Sequence, residues 1–240
     1  DDAIAANYSA KDLAGKAACK AALQAEFGLR VDPRIPVIGM VTRLDAQKGL
    51  DLVADMLDDV GGFQLALLGT GDPHLEAVFT RAGATMGNVA AKLQFSNRLA
   101  RMVYAGSDMF LMPSHYEPCG LGQMIALAYG TIPIVRRTGG LADTIRAEGE
   151  KANGFDFEEY STAALKRAVG EALAAYADKL ARLESLPPPR VILIGGSATA
   201  FGVDSAALED ALGRPVINLG LHAATGMDFQ LNTVRSRLGA

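Results

Sequence analysis

From residue 35 onward, short apolar runs alternate along the chain with longer stretches whose apolar residues recur every three or four positions. An apolar run bounded by turn residues fits a buried strand, whereas a three-to-four spacing gives a helix one apolar face. IPVIGMV (35–41) and FQLALLG (63–69) are β-branched or Leu-rich and bounded by glycine, which predicts two buried strands. Between them, GLDLVADMLDDV sets Leu50, Val53, Met56, Leu57 and Val60 on one side of a crossover helix. The alternation goes on with a helix over 73–86, a strand over 91–95, a helix over 97–105 and a strand over 108–113. A helix over 121–129, a strand over 131–135, a helix over 139–145 and a short strand over 153–157 follow. The last helix of the series starts behind Ser161 as N-cap and runs to about Asp178. This order predicts an α/β fold, a Rossmann-like, doubly wound parallel sheet with helices on both faces.

The next stretch, KLARLESLPPPR, ends in three prolines, and each removes an amide donor and pushes its predecessor toward extended geometry. Residues 179–189 therefore read as a linker that closes a domain over 1–178. Beyond it, a strand over 191–196, a helix over 205–212, a strand over 215–221 and a helix over 227–238 form an appended βαβα unit within 190–240. About 50 residues are too few to cover both faces of a sheet, so this unit has to dock or remain marginal.

Composition narrows the classes. Half of the 240 residues are hydrophobic, 21% are charged and no low-complexity tract interrupts them, which excludes a disordered chain. The net charge is −4 and no basic run stands out, so neither nucleic acid nor an acidic membrane surface is an expected partner. No apolar stretch approaches the roughly 20 residues of a membrane span, and DDAIAANYSA has no signal-peptide pattern, so a cytoplasmic location is expected. Cys19 and Cys119 lie far apart without a CxxC pair, which argues against zinc or a disulfide and for two free thiols.

Doubly wound sheets bind ligands beyond the carboxyl ends of their strands, which directs attention to the loops after Val41, Gly69, Phe95, Met112 and Val135. In TRLDAQKGL, Arg43 and Lys48 stand beside a helix start at Gly49 and could neutralise a diphosphate, although two surface charges would give the same spacing. In SHYEPCGLGQMIALAYG, Glu117 precedes Gly120 and Gly122, where bare backbone amides suit a phosphate and a carboxylate suits sugar hydroxyls. A tight turn would need the same glycines. In RRTGGLADTI, Gly139 and Gly140 open a helix, either to meet a ligand or as an N-cap turn with Thr138 as the cap.

Taken together, YSAKDLAGKAACKAALQAEFGL, TRLDAQKGLDLV, LLGTGDP, VYAGSDMFLMPSHYEPCGLGQMIALAYGTIPIVRRTGGLADTI and NGFDFEEYS make residues 8–178 resemble the C-terminal half of a bacterial glycogen (starch) synthase. EPCGLGQ followed by YGTIPIVRRTGGLADT is the most specific part. The resemblance implies the GT-B architecture of two Rossmann-like domains facing a cleft, and a retaining glycosyltransferase that moves glucose from ADP-glucose to an α-1,4-glucan. No metal or other cofactor is implied. It assigns Arg43 and Lys48 to the departing diphosphate, Glu117 to the glucose hydroxyls, and the amides of Gly120, Leu121 and Gly122 to phosphate. Thr138, Gly139 and Gly140 belong to the same nucleotide-sugar site, and Phe95 to the face of the adenine.

The family usually has Tyr at that last position and an acidic residue two places on, where this chain has Phe95 and Asn97; stacking survives, and the phenolic hydrogen bond does not. Ile125 replaces a second Glu found in the wider superfamily, a replacement that glycogen synthases share. The family's active-site His lies in its N-terminal domain, so His74 and His115 are expected to be loop residues. Residues of that N-terminal domain are not in this sequence. Half a cleft neither excludes water nor orients a glucan, so weak donor binding and no transfer by this chain alone are expected.

From Lys179 the chain is similar to something else. KLARLESLPPPRVILIGGSATAFGVDSAALEDALGRPVINLGLHAATGMDFQLNTVR resembles the opening of an SGNH (GDSL-like) hydrolase, with Ser197 in GGS at the nucleophile position and NLG (218–220) near the second block. That nucleophile needs a His base and an oxyanion Asn from later blocks, and His222 comes too early, so Ser197 is a vestigial position or simply a small residue in a glycine-rich turn. The junction fits an engineered chimera, a gene-assembly product or a natural fusion. Two rival readings accompany the synthase reading: a non-catalytic scaffold whose tail extends or covers the main sheet, and a truncated hydrolase fragment.

Overall fold

Six strands, β1 (Val37–Val41), β2 (Gln64–Leu68), β3 (Val89–Lys92), β4 (Met109–Met112), β5 (Ile132–Arg136) and β6 (Phe155–Phe157), pair in parallel in the order β3-β2-β1-β4-β5-β6. The coordinates are a computed structural model that describes residues 1–9, 14–59, 61–148, 152–185, 191–193, 205–212 and 216–218. Seven helices join or flank the strands: α1 (Ala14–Glu26), α2 (Leu50–Met56), α3 (Pro73–Thr85), α4 (Asn97–Gly106), α5 (Gly122–Ala128), α6 (Gly139–Thr144) and α7 (Thr162–Ser185). Strand side chains alternate between faces, and each face finds an apolar cover. Ile38, Met40, Leu65, Leu67, Met109 and Leu111 pack with Val53 of α2, Phe79 of α3 and Leu165 of α7. On the other side, Val37, Ala66, Leu68 and Phe110 pack with Leu23 of α1, Leu99 and Val103 of α4 and Ala126 of α5. Burying each large side chain contributes about 1.5–3 kcal/mol.

Strand order reverses between β1 and β4, and the loops leaving their carboxyl ends, residues 42–49 and 113–121, open side by side at that crevice. Most predicted elements occur within a residue or two of their places, with three differences. The third strand spans Val89–Lys92 rather than 91–95, because its register with β2 ends at Leu68 opposite Lys92; Phe95 consequently lies in the loop before α4. α1 has no counterpart in the pattern reading. α7 continues to Ser185 instead of ending near Asp178, so residues 179–185, expected in the linker, are helical. Lys, Leu, Ala, Arg and Glu there are strong helix formers. Ser161 caps the start of α7 as predicted, its Oγ accepting the Ala164 amide at 3.2 Å.

In the tail, β7 (Val191–Leu193), α8 (Ser205–Leu212) and β8 (Val216–Asn218) follow the predicted strand–helix–strand order. β7 and β8 pair in parallel with each other in a sheet of their own, and β8 also touches α7. The described tail strands therefore do not extend the main sheet, one of the two arrangements the scaffold reading allows. The three prolines, Ser197, the NLG segment beyond Asn218 and the helix over 227–238 lie outside the described residues. Among the described residues, no helix is long and apolar enough to cross a membrane. Both cysteines are free, Cys19 buried and Cys119 exposed.

Candidate functional site

After β1 the chain makes a single 3-10 turn, Ala46–Lys48, because the Asp45 carboxylate accepts the Lys48 amide at 3.0 Å and caps it. Gly49 follows with φ 73°, and a Cβ there would stand 2.1 Å from the carbonyl oxygen of Pro113. Only glycine lets this turn rest directly on the loop after β4. The His115 amide donates to the Gln47 carbonyl at 2.8 Å and stitches the two segments together. The outcome is a short ion pair: Lys48 Nζ donates to Glu117 Oε2 at 2.6 Å. Glu117 is only 7% exposed, and the same oxygen accepts the Ser114 hydroxyl at 3.3 Å.

The backbone of Glu117 is held from the other side by α6. Gly140 donates its amide to the Glu117 carbonyl at 2.9 Å, and a Cβ on Gly140 would sit 1.9 Å from the Cys119 carbonyl oxygen. These glycines thus let α6 approach the Glu117 loop at backbone contact. Gln123 secures the following turn, its Nε2 donating to the Gly120 carbonyl and to Thr144 Oγ1, each at 3.0 Å.

Arg43, Lys48, Glu117, Gly120, Leu121 and Gly122 all line one cleft of about 180 Å³, together with Ser114, Tyr104 and Met112. Gly120, Leu121 and Gly122, at the start of α5, line the same cleft as Lys48, and among the described residues no hydrogen bond from their amides is found. Arg43 is at the rim, its side chain 72% exposed and paired with Asp45 at 3.3 Å. Burial pushes the Tyr104 phenol up to about 12, which keeps it protonated in the cleft wall. Two cationic side chains, three consecutive backbone amides and a carboxylate suit a ligand that is anionic at one end and rich in hydroxyls at the other.

The remaining predicted residues that are described do not line this cleft. Phe95 is 86% exposed in the loop between β3 and α4. Thr138 occupies the N-cap position of α6, yet its side chain makes no capping bond, contrary to the N-cap expectation. The amide of Gly140 is engaged by Glu117, and Ser197 lies outside the described residues. His115 is a loop residue as expected, whereas His74 lies in the first turn of α3, because the Asp72 carboxylate caps that helix and accepts the His74 amide at 2.7 Å. Sequence reasoning gave no role to Ser114 and Tyr104, although both lie within the quoted motifs; Ser114 reaches the cleft from the Glu117 loop itself, and Tyr104 from α4. Among the described residues, no group of three or more His, Cys, Asp or Glu side chains could hold a metal ion.

Residues 24–185 match the family described as Glycosyl transferases group 1. The chain is 52% identical over 182 residues to a glycogen synthase of Syntrophotalea carbinolica, covering 73% of this chain and 38% of the relative. It is 46% identical over 220 residues to a glycogen synthase of Anaeromyxobacter sp., covering 89% of this chain and 45% of the relative. Among solved structures, the catalytic domain of Starch Synthase IV from Arabidopsis thaliana, bound to ADP and acarbose, superposes with a TM-score of 0.69 at 36% identity, covering 73% of this chain and 38% of that one. The chain thus spans less than half the length of these relatives.

Proposed function

Since the chain belongs to the group 1 glycosyl transferases, we propose that its cleft is the nucleotide-sugar-binding half of a glycogen (starch) synthase. In this reading the donor is ADP-glucose, and glucose passes with retention to an α-1,4-glucan once a second domain completes the site. The observation that carries it is the meeting of Lys48, Glu117 and the backbone amides of Gly120, Leu121 and Gly122 in one cleft, with Arg43 on its rim. Likeness to a starch synthase domain that holds ADP supports the choice of nucleotide.

Negative charge grows on the diphosphate as the glucosyl bond breaks. Fixed cations and amides aimed at that position stabilise the transition state more than the ground state. Arg43 and Lys48 take that role here, without a metal, and Glu117 accepts hydrogen bonds from glucose hydroxyls. The exposed ring of Phe95 offers adenine a stacking face. By itself the chain binds the donor weakly and does not transfer glucose. The tail is read as the opening of an SGNH-like unit joined to the synthase half, without hydrolase activity, on its sequence alone.

Calorimetry with ADP on the full chain and on the Arg43→Ala, Lys48→Ala double variant tests the assignment. A hydrogen bond to a charged group contributes about 1.5–3 kcal/mol, so a loss of affinity of at least about tenfold is expected. Identical heats for the two proteins would sink the assignment.

A further inference from the structure

We propose that Tyr160 is a positioning residue for this cleft, tying the turn that carries Lys48 to the loop that carries Glu117 and so setting the contact between them. The consequence for ligand binding rests on the nucleotide reading above. The Tyr160 hydroxyl donates to Asp51 Oδ1 at 2.6 Å and lies 3.3 Å from the carbonyl oxygen of Ala46, the first residue of the Lys48 turn. Its ring meets the His115 imidazole edge-on, with centroids 4.7 Å apart at 75°. The Arg136 guanidinium covers the ring face at 5.3 Å and donates to the His115 carbonyl at 2.6 Å and to the Glu158 carbonyl at 3.0 Å. His115 is bonded through its amide to Gln47, one residue before Lys48, and stands two residues before Glu117.

One aromatic ring therefore touches both segments that supply the ion pair, while Tyr160, Asp51, His115 and Arg136 all stay off the cleft wall. Any effect on a ligand has to pass through the residues these two segments present to the cleft, Lys48 and Glu117 foremost. Burial, and then the hydrogen bond to Asp51, hold the Tyr160 phenol well above its ordinary range, so it stays a donor throughout the working pH range.

The test is a double-mutant cycle on the full chain, with ADP affinity measured for the parent, Tyr160→Phe, Lys48→Ala and the combination. Tyr160→Phe keeps the ring and loses the hydroxyl. It is expected to weaken ADP about two- to tenfold, the effect of one hydrogen bond, with the melting temperature lowered by no more than a few degrees. In the Lys48→Ala background the same change is expected to do nothing. An equal loss in both backgrounds, or no loss in either, would overturn the proposal. A readout independent of nucleotide separates its failure from that of the function reading. The carboxyl ¹³C resonance of Glu117, assigned with Glu117→Gln, should move in Tyr160→Phe without any ligand added. A stationary resonance overturns the positioning role even where ADP binds, and a moved resonance supports it even where ADP does not.

Discussion

Gly140 shows how little room the site leaves at the level of one residue. Gly140→Ala would put a methyl group 1.9 Å from the Cys119 carbonyl oxygen, so either α6 or the Glu117 loop has to retreat. Overpacking of this kind costs about 1–3 kcal/mol or more. The expected outcome is a lower urea midpoint together with a loss of ADP affinity, since the displaced loop carries Glu117 and the cleft's backbone amides. Asp32 provides a second single-residue prediction. The Arg34 side chain and amide, with Arg30 adding charge, hold its carboxyl down to about 2 from an ordinary 3.8. A carboxyl lowered in the folded state stabilises fully above its unfolded value, and that contribution is lost as pH falls from about 4 to about 2. In urea titrations Asp32→Asn should therefore be less stable than the parent at pH 5, with the gap closing toward pH 2. A constant gap would contradict the role given to Arg34.

At the level of elements, what the sequence reveals follows from how each element meets the core. β1, β2, β4 and β5 are short, mostly buried apolar runs, and their composition announces them. α1 hides because Lys16 and Lys20 occupy its buried stripe alongside Cys19 and Leu23. The Lys16 ammonium donates to the carbonyls of Ala105, Ser107 and Tyr129 and to Thr131 Oγ1, and Lys20 pairs with Asp108 at 2.7 Å. Two lysines facing inward erase the apolar period on which a pattern reading depends. Lys16→Met should destabilise the chain by about 2–4 kcal/mol, because several buried acceptors then lose their donor; an unchanged urea midpoint would show that these acceptors find other partners. The candidate site divides along the same line. Lys48, Glu117 and the glycines were legible because local turns present them, and those turns have their own residue signatures. Tyr104 and Tyr160 were not, because their parts depend on which elements the strand order brings together, and Ser114 was not, because a lone serine three residues before Glu117 carries no signature of its own.

Over the whole molecule, the six-stranded sheet and its helical cover are complete by Ser185, the last residue of the glycosyl transferase group 1 match, while β7 and β8 form a separate sheet and the likeness to the Anaeromyxobacter glycogen synthase, at 89% of the chain, runs on into the tail. A chain of residues 1–185 is expected to bind ADP within about twofold of the full chain by calorimetry, a ratio below one hydrogen bond's worth. A larger loss would mean that the tail props the cleft. The part-buried pairing of Lys48 with Glu117 has a last consequence for what this half-site accepts. The chain supplies each of these charges with its own counterion. An anion alone takes the cation and strands a buried carboxylate, and a sugar alone takes the carboxylate and strands the cation. Only a molecule that offers a diphosphate and hydroxyls at the right separation relieves both at once. The cleft then behaves as a coincidence detector, expected to favour the nucleotide sugar over ADP and to pass over free phosphate and free glucose alike.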